Sequence, residues 1–479
     1  MGYEHGVTIS EQATSILPPR RVSASLPVVV GTAPVHMLSG GSIGPVNEPG
    51  LYYTYSEAVA AMGYNADWNK YTLCEFMKSH FALFAVAPVV FINVFDPAVH
   101  KTSVAEASQD FVGDDLQLPN EGILDATLVI KDSTGTTTYV EDTDYSVDLI
   151  TGLVTRIVTG AIAADESILR SYEYGDPTLV DAADIIGGVD GVTGALTGLE
   201  LVNDVFPRFR LVPGQIVAPG WSDDVSVAAV MDAKAGNING VFKAICLIDL
   251  PASVDLYSDA PAYKNDNNLT DELMAVCWPK LKLGDDEYWL STQLAGLICQ
   301  VDADHDDIPY KSPSNERLQM NAAVAGSNEP WLGQDQAAYL NGNGIITALN
   351  FVGGWKCWGN RTGAYPAVTD VKDSFLPIRR MFNWIANTLT LTWWQKVDFP
   401  VTRRLVETVV DSVNIWLNGL AAREIILGGR VEFIDDENPT TDLMDGIIRF
   451  HVYVTPPSPA REINFILEYD PAYLDTLFG

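Results

Sequence analysis

Hydrophobic residues along this chain follow three textures. Leu26-Pro27-Val28-Val29-Val30-Gly31-Thr32-Ala33 is an almost unbroken apolar run entering a turn, the pattern of a strand covered on both faces. Residues 56–62 open on Ser56, a good N-cap, and read as helix, as do residues 72–87. Val89-Val90-Phe91-Ile92-Asn93-Val94-Phe95 reads as a second buried strand. That β-α-α-β order predicts an α/β layer. The texture returns at Ile216-Val217-Ala218-Pro219-Gly220, a strand end with its turn, and at the buried strand 244–250. Residues 225–233 and 271–278 supply further helix and strand material.

A different texture fills residues 97–176. Short alternating runs at 127–132, 136–140, 144–148, 153–156 and 168–174 are separated by polar turns such as Ser133-Thr134-Gly135 and Thr151-Gly152. They predict a small all-β module inserted into the α/β body. The last quarter changes again. Residues 382–391 and 401–420 are helical, with Leu405, Val409, Val413, Trp416, Leu417 and Leu420 recurring at helical spacing. Residues 446–454 read as a strand, Pro456-Pro457-Ser458-Pro459 as a stiff linker, and 463–469 as a final strand. At the other end, Val7-Thr8-Ile9-Ser10 alternates like a short strand ahead of Pro18-Pro19-Arg20-Arg21.

The expected fold class is α+β and multidomain, flanked by terminal arms. An arm spans 1–27, an α/β body spans 28–96 and 177–350, and the β module spans 97–176. A C-terminal α+β domain spans 351–460, and a second arm spans 461–479.

Composition narrows the function. The 479 residues carry 29 Lys+Arg against 62 Asp+Glu, a formal charge of −33, which would repel phosphates and argues against nucleic acid as a ligand. The same repulsion keeps free subunits soluble. Residues 351–479 hold 12 Lys+Arg against 16 Asp+Glu, so nearly all the excess lies in residues 1–350 and the two regions should face different surroundings. No stretch of roughly 18 apolar residues is present, so membrane insertion is not expected. The start lacks the basic and apolar regions of a secretory signal. Five cysteines without a C-x-x-C pair (Cys74, Cys246, Cys277, Cys299 and Cys357) read as buried thiols.

Motifs for chemistry are weak. Gly40-Gly41-Ser42-Ile43-Gly44 matches the G-x-S-x-G nucleophile pattern, which would make the chain an α/β hydrolase using Ser42, but Pro45 follows and the setting is loop-like. The glycine-rich stretch 187–194 lacks the ending of a phosphate loop. Asp302-Ala303-Asp304-His305-Asp306-Asp307 starts like a calcium loop, yet Asp307 stands where glycine is needed and Pro313 where the bidentate glutamate belongs, so it reads as a solvated acidic loop. The six histidines form no ligand spacing. No catalytic residue, cofactor or metal is expected. Trp355, Trp358, Trp384, Trp393, Trp394 and Trp416 crowd the last quarter and read mostly as core.

Ordered motifs carry a resemblance. Tyr3-Glu4-His5-Gly6-Val7, the insert with Asp144-Tyr145-Ser146-Val147-Asp148, the Ala218-Pro219-Gly220 turn, Ser312-Pro313-Ser314-Asn315 and Leu340-Asn341-Gly342-Asn343-Gly344-Ile345 occur in series. Cys357-Trp358-Gly359-Asn360-Arg361-Thr362, Arg379-Arg380 and Asn438-Pro439 follow. Together they resemble the tail sheath proteins of contractile-tailed bacteriophages, over nearly the whole chain; Ala322-Ala323-Val324-Ala325-Gly326 fits that pattern only loosely. The resemblance implies a virion protein, made in the host cytoplasm, that forms sixfold rings of itself around a tail tube. It meets baseplate and tail terminator proteins, and contracts to drive the tube through a host envelope. It also implies that the C-terminal domain faces the tube and the insert projects outwards. A phage-tail-like bacteriocin or contractile secretion system would use the same kind of subunit.

Physical reasoning supports shared strands. An isolated strand cannot bury itself, and an unpaired edge invites a partner. Val7, Thr8, Ile9, Ser10 and, at the other end, Ile463, Phe465 and Leu467 are the expected inter-subunit strand residues, each group set off by prolines. Arg403, Arg404 and Arg423 either face acidic groups on the tube or pair with Glu407, Asp411 and Glu424.

Overall fold

A computed structural model describes residues 20–21, 24–39 and 41–477. Contacts divide the chain into two compact units, 1–309 with 313–397, and 310–312 with 398–479. The fold is mixed α/β.

The first unit is built on an eight-stranded sheet. In spatial order its strands are Trp355–Trp358, Ile345–Asn350, Met274–Cys277, Ile245–Asp249, Gln215–Val217, Pro27–Gly31, Val89–Asn93 and Pro49–Tyr52. The inner six are parallel and the two edges antiparallel. Burial explains the sequence texture: Val28, Val29, Val30, Val90, Phe91, Ile92 and Ile245–Asp249 are all buried, because helices cover both faces. Strand order reverses beside Pro27–Gly31, the arrangement that in open parallel sheets leaves a crevice at the strands' carboxyl ends. Here side chains of the chain itself crowd that place. Gly220, at φ +71°, would carry a Cβ 3.2 Å from Thr72 Cγ2 and 3.4 Å from Trp289 Nε1, so the Ala218-Pro219-Gly220 turn requires glycine for both space and conformation.

Residues 101–175 contain six strands and no helix. They form two three-stranded antiparallel sheets: Asp115–Gln117, Leu153–Arg156 and Tyr145–Asp148; and Lys101–Asp110, Ser167–Gly175 and Val129–Asp132. Phe111, Leu116, Ile130, Tyr145, Val154 and Ile168 belong to a core cluster distinct from that of the large sheet. Residues 136–140 form no strand of their own; Thr138 only bridges Lys131.

Several sequence expectations are corrected. The helix expected over 72–87 is α-helical only for Thr72–Met77, widens to a π-helix over Lys78–Leu83, and yields to a strand at Val86–Ala87 that pairs with Arg20–Arg21. The N-cap near residue 56 is Thr54, whose hydroxyl accepts from Glu57 N at 3.2 Å while the Glu57 carboxylate accepts from Thr54 N, a reciprocal cap. Among the six C-terminal tryptophans, Trp355 is buried, Trp394 is exposed and the others are half-buried, so a mostly-core reading fails.

In the second unit, the helix Arg403–Ala422 buries Val409, Val413, Leu417 and Leu420, the stripe its spacing predicts. It packs on a two-stranded antiparallel sheet of Gly428–Glu432 and His451–Thr455. The strand expected over 446–454 is therefore shorter and later, with Thr440–Met444 helical before it. No helix of the described residues is long and apolar enough to cross a membrane.

Candidate assembly site

The ordered motifs of the first unit act as buttresses. Arg380 and Asp302 form an ion pair, 4% and 0% exposed at the side chains, and Arg380 Nη2 also donates to Ser25 Oγ at 2.8 Å. Ser25 in turn donates to Asp302, so all three groups are satisfied, as burial demands. This corrects the solvated acidic loop at its first residue: Asp302 is wholly buried at the end of a helix, while Asp304 and Asp306 lie exposed in the turn that follows. The cluster fixes Ser25, the residue at which the N-terminal segment enters the sheet. Arg379 pairs with Asp373 at 2.9 Å and donates to Asn383 Oδ1 at 3.2 Å. The Arg361 guanidinium lies 3.7 Å and 4.1 Å from the ring centroids of Phe375 and Tyr365. Asn315 N donates to Cys357 O, and Gly359 N to Ser314 Oγ, which joins the 312–315 motif to the 357–362 motif.

Two buried carboxyls sit at the start of the helix Leu290–Ala303. Glu75 accepts from Trp289 N at 2.8 Å and Asp249 from Ser291 N at 3.0 Å, serving amides that the helix itself cannot satisfy. Burial pushes Glu75 up to about 8 and Asp249 up to about 7. Ser42 lies exposed in a loop between Pro27–Gly31 and Pro49–Tyr52, with neither a strand entering nor a helix leaving it, so the nucleophile-elbow geometry is not met.

The second unit presents the open features. Its sheet has only two strands among the described residues, and such a pair is marginal alone. Asn414, from the middle of the long helix, donates to Val431 O at 3.1 Å and accepts from Val431 N at 2.9 Å, imitating a neighbouring strand. Asn438 does the same for Arg449, accepting from its N at 2.7 Å and donating to its O at 2.9 Å. Pro456 is buried and Pro457 and Pro459 half-buried; from Ala460 on the chain runs exposed, and residues 456–470 join no strand of the described residues. Ile463, Phe465 and Leu467 are 71%, 86% and 95% exposed. Isolated exposed apolar side chains are ordinary, but with Ile466 and Tyr469 these three make a continuous exposed apolar run.

Val7, Thr8, Ile9 and Ser10 lie outside the described residues. Arg403 pairs with Glu407 at 2.7 Å on the exposed helix face, and Arg404 and Arg423 are also exposed.

The sequence matches no family profile. It is 32% identical over 494 residues to the tail sheath protein of Burkholderia phage BcepMu, spanning 100% of this chain and 99% of that one. The chain belongs to the tail sheath proteins. Its fold is shared with a chain of the anti-feeding prophage baseplate (TM-score 0.58, 15% identity, 98% of this chain and 100% of that one) and with the contracted helical sheath of the same particle (TM-score 0.56, 14% identity, 98% and 100%).

In this sheath protein, sequence reasoning missed Asn414 and the Ser25–Asp302–Arg380 cluster. Asn414 carried a signal: an amide residue next to the apolar stripe of an otherwise regular helix. The cluster carried none, because its members are distant in the chain.

Proposed function

We propose that this sheath protein polymerises as stacked rings around a tail tube and contracts to drive the tube through a host envelope, its terminal segments completing sheets in adjacent copies. The observation that carries the reading is the likeness to the phage sheath protein over the whole of this chain, joined to an exposed apolar segment that pairs with no strand among the described residues. Main-chain bonds across a shared sheet tolerate rotation of the bodies they connect, so a lattice shortens without separating. Contraction needs two packings of the same subunits, the second lower in energy, and no nucleotide.

Further parts of the proposal follow from the family. Residues 97–176 act as an inserted module on the outer surface of the sheath, residues 351–460 as the domain toward the tube, and 1–27 and 461–479 as arms. Arg403, Arg404 and Arg423 contact the tube, with the Arg403–Glu407 pair exchanged for an acidic partner there. Baseplate and terminator proteins meet the ends of the polymer, as part of a virion tail assembled in the host cytoplasm.

Electron microscopy of the concentrated protein should show rings or striated tubes. Removing residues 461–479 should leave folded, soluble subunits that form neither. Tubes of normal length from that truncation would overturn the shared-strand reading.

A further inference from the structure

We infer that the six-stranded segment 101–175 is seated on the body of the first unit through the uncharged imidazole of His36, and that acid unseats it. The junction is an acid-sensitive latch within one subunit, independent of how copies are joined.

Two chain connections, 96–100 and 176–177, lead into and out of the segment, which has a core cluster of its own. A further link crosses from the body without a covalent bond. His36 stands in the turn after Pro27–Gly31, and two glycines of the segment close over its ring. A Cβ on Gly122 would fall 2.2 Å from His36 Nε2, and one on Gly175 2.7 Å from the same atom. Neither position can carry a side chain while the ring is in place, and Gly122 also needs the freedom of φ +66°. Gly175 N donates to Gly122 O at 3.1 Å, which ties the two walls of this socket together. From the body, Phe95 meets the ring edge to face at 5.2 Å between centroids, and the Tyr71 ring lies 6.4 Å away.

The socket fits a neutral ring. Both His36 nitrogens are buried and meet no hydrogen-bond partner among the described residues. The charged form would bring two N–H donors and a positive charge into that place, so burial pushes His36 down to about 4. The surroundings offer the charged ring an exit. A cleft of about 480 Å³ adjoins the socket at Gly175 and is lined by Asp67, Lys70, Tyr71, Glu121, Tyr174 and Asp176. Three carboxyls against one ammonium favour an imidazolium that has left the socket. Burial opposes the charge on Asp176, but bonds from Thr178, Thr102 and Tyr174 outweigh it and hold that carboxyl below the usual range. A second histidine at the junction is placed differently. His100 Nδ1 accepts from Asp96 N at 3.0 Å and its Nε2 lies 3.3 Å from Asp184 Oδ2, so it already has a carboxylate partner. The direction of the pH effect follows. Seated His36 titrates at about 4 and an unseated one at the ordinary 6.5, so the latch is complete above pH about 6.5 and weakens as pH falls toward 4. The seating equilibrium changes by no more than about tenfold per pH unit. This sign is opposite to that of Glu75 and Asp249, whose protonated forms suit the fold, so exchange at the socket is the readout and the denaturation midpoint is not.

Hydrogen exchange of the unaltered protein, corrected for the intrinsic rate at each pH, tests the latch. Between pH 7 and pH 5, protection of the amides at 35–37 and 175–176 should fall roughly tenfold or more, while 167–172 inside the segment stays protected. Equal loss across 167–172 would mean that the segment melts and does not unseat, and constant protection at the socket would overturn the latch outright. His36→Phe keeps a ring that cannot take a proton, so the pH dependence should vanish. Its persistence in that variant would assign the effect to His100 and refute the proposal. Gly122→Ala should lower protection at the socket already at pH 7; an unchanged value would show that the ring is not seated against that glycine. Should either variant misfold, an NMR titration of the His36 ring in the unaltered chain decides: a value near 4 supports the latch, and one near 6.5 overturns it.

Discussion

Arg380 shows how one side chain can hold a segment in place. It is buried and bonded to Asp302 and Ser25, so truncation leaves an uncompensated carboxylate in the interior. Arg380→Ala should cost about 3–5 kcal/mol of stability in chemical denaturation, far more than loss of the exposed Arg403–Glu407 pair. Glu75 and Asp249 make a prediction about pH. Their folded values, about 8 and about 7, lie above the ordinary 4.5 and 3.8, so the folded chain holds protons that the unfolded chain releases. The stability they contribute is complete below pH about 4 and is lost as pH rises through 7 to 8, at no more than about 1.4 kcal/mol per pH unit for each group. Denaturation midpoints measured from pH 4 to 8 should fall, and Glu75→Gln should flatten the slope. An unchanged slope would mean that Glu75 is ionised in the fold. None of this was legible beforehand: Arg379-Arg380 stood out as a motif, but its partner lies 78 residues away in a stretch that reads as solvated loop.

At the level of elements, the long helix and the two-stranded sheet depend on each other. Asn414 satisfies both main-chain groups of Val431, so Asn414→Ala leaves a buried donor and acceptor unpaired. The expected loss is about 1–3 kcal/mol, seen as a lower thermal midpoint together with faster exchange of the Val431 amide. Asn414→Asp should do better than alanine for the N–H and worse for the C=O, since a carboxylate only accepts. The helix itself was legible, because four residues of its apolar stripe had to be covered by something. Its polar contact was not, since periodicity reports faces and says nothing about which edge a side chain closes.

For the whole molecule, charge and open edges act against each other. A chain of net charge −33 resists packing beside copies of itself, while the exposed 463–469 segment favours it. Tube formation followed by light scattering should therefore be faster near 0.15 M salt, where screening acts within about 8 Å, than near 0.01 M, where it acts at about 30 Å. A rate that falls with salt would show that opposite charges, rather than shared strands, draw the copies together.

Sequence alone determined several buried strands, the apolar stripe of the long helix and the family, because each depends on a local pattern or on ordered motifs. Only the tertiary structure decided which strands are neighbours, that Asp302 is buried against Arg380, that the segment 72–87 passes from α-helix to π-helix to strand, and that Asn414 closes one edge of a sheet. Those outcomes depend on pairings between residues distant in the chain, and hydrophobic periodicity carries no information about a partner's position.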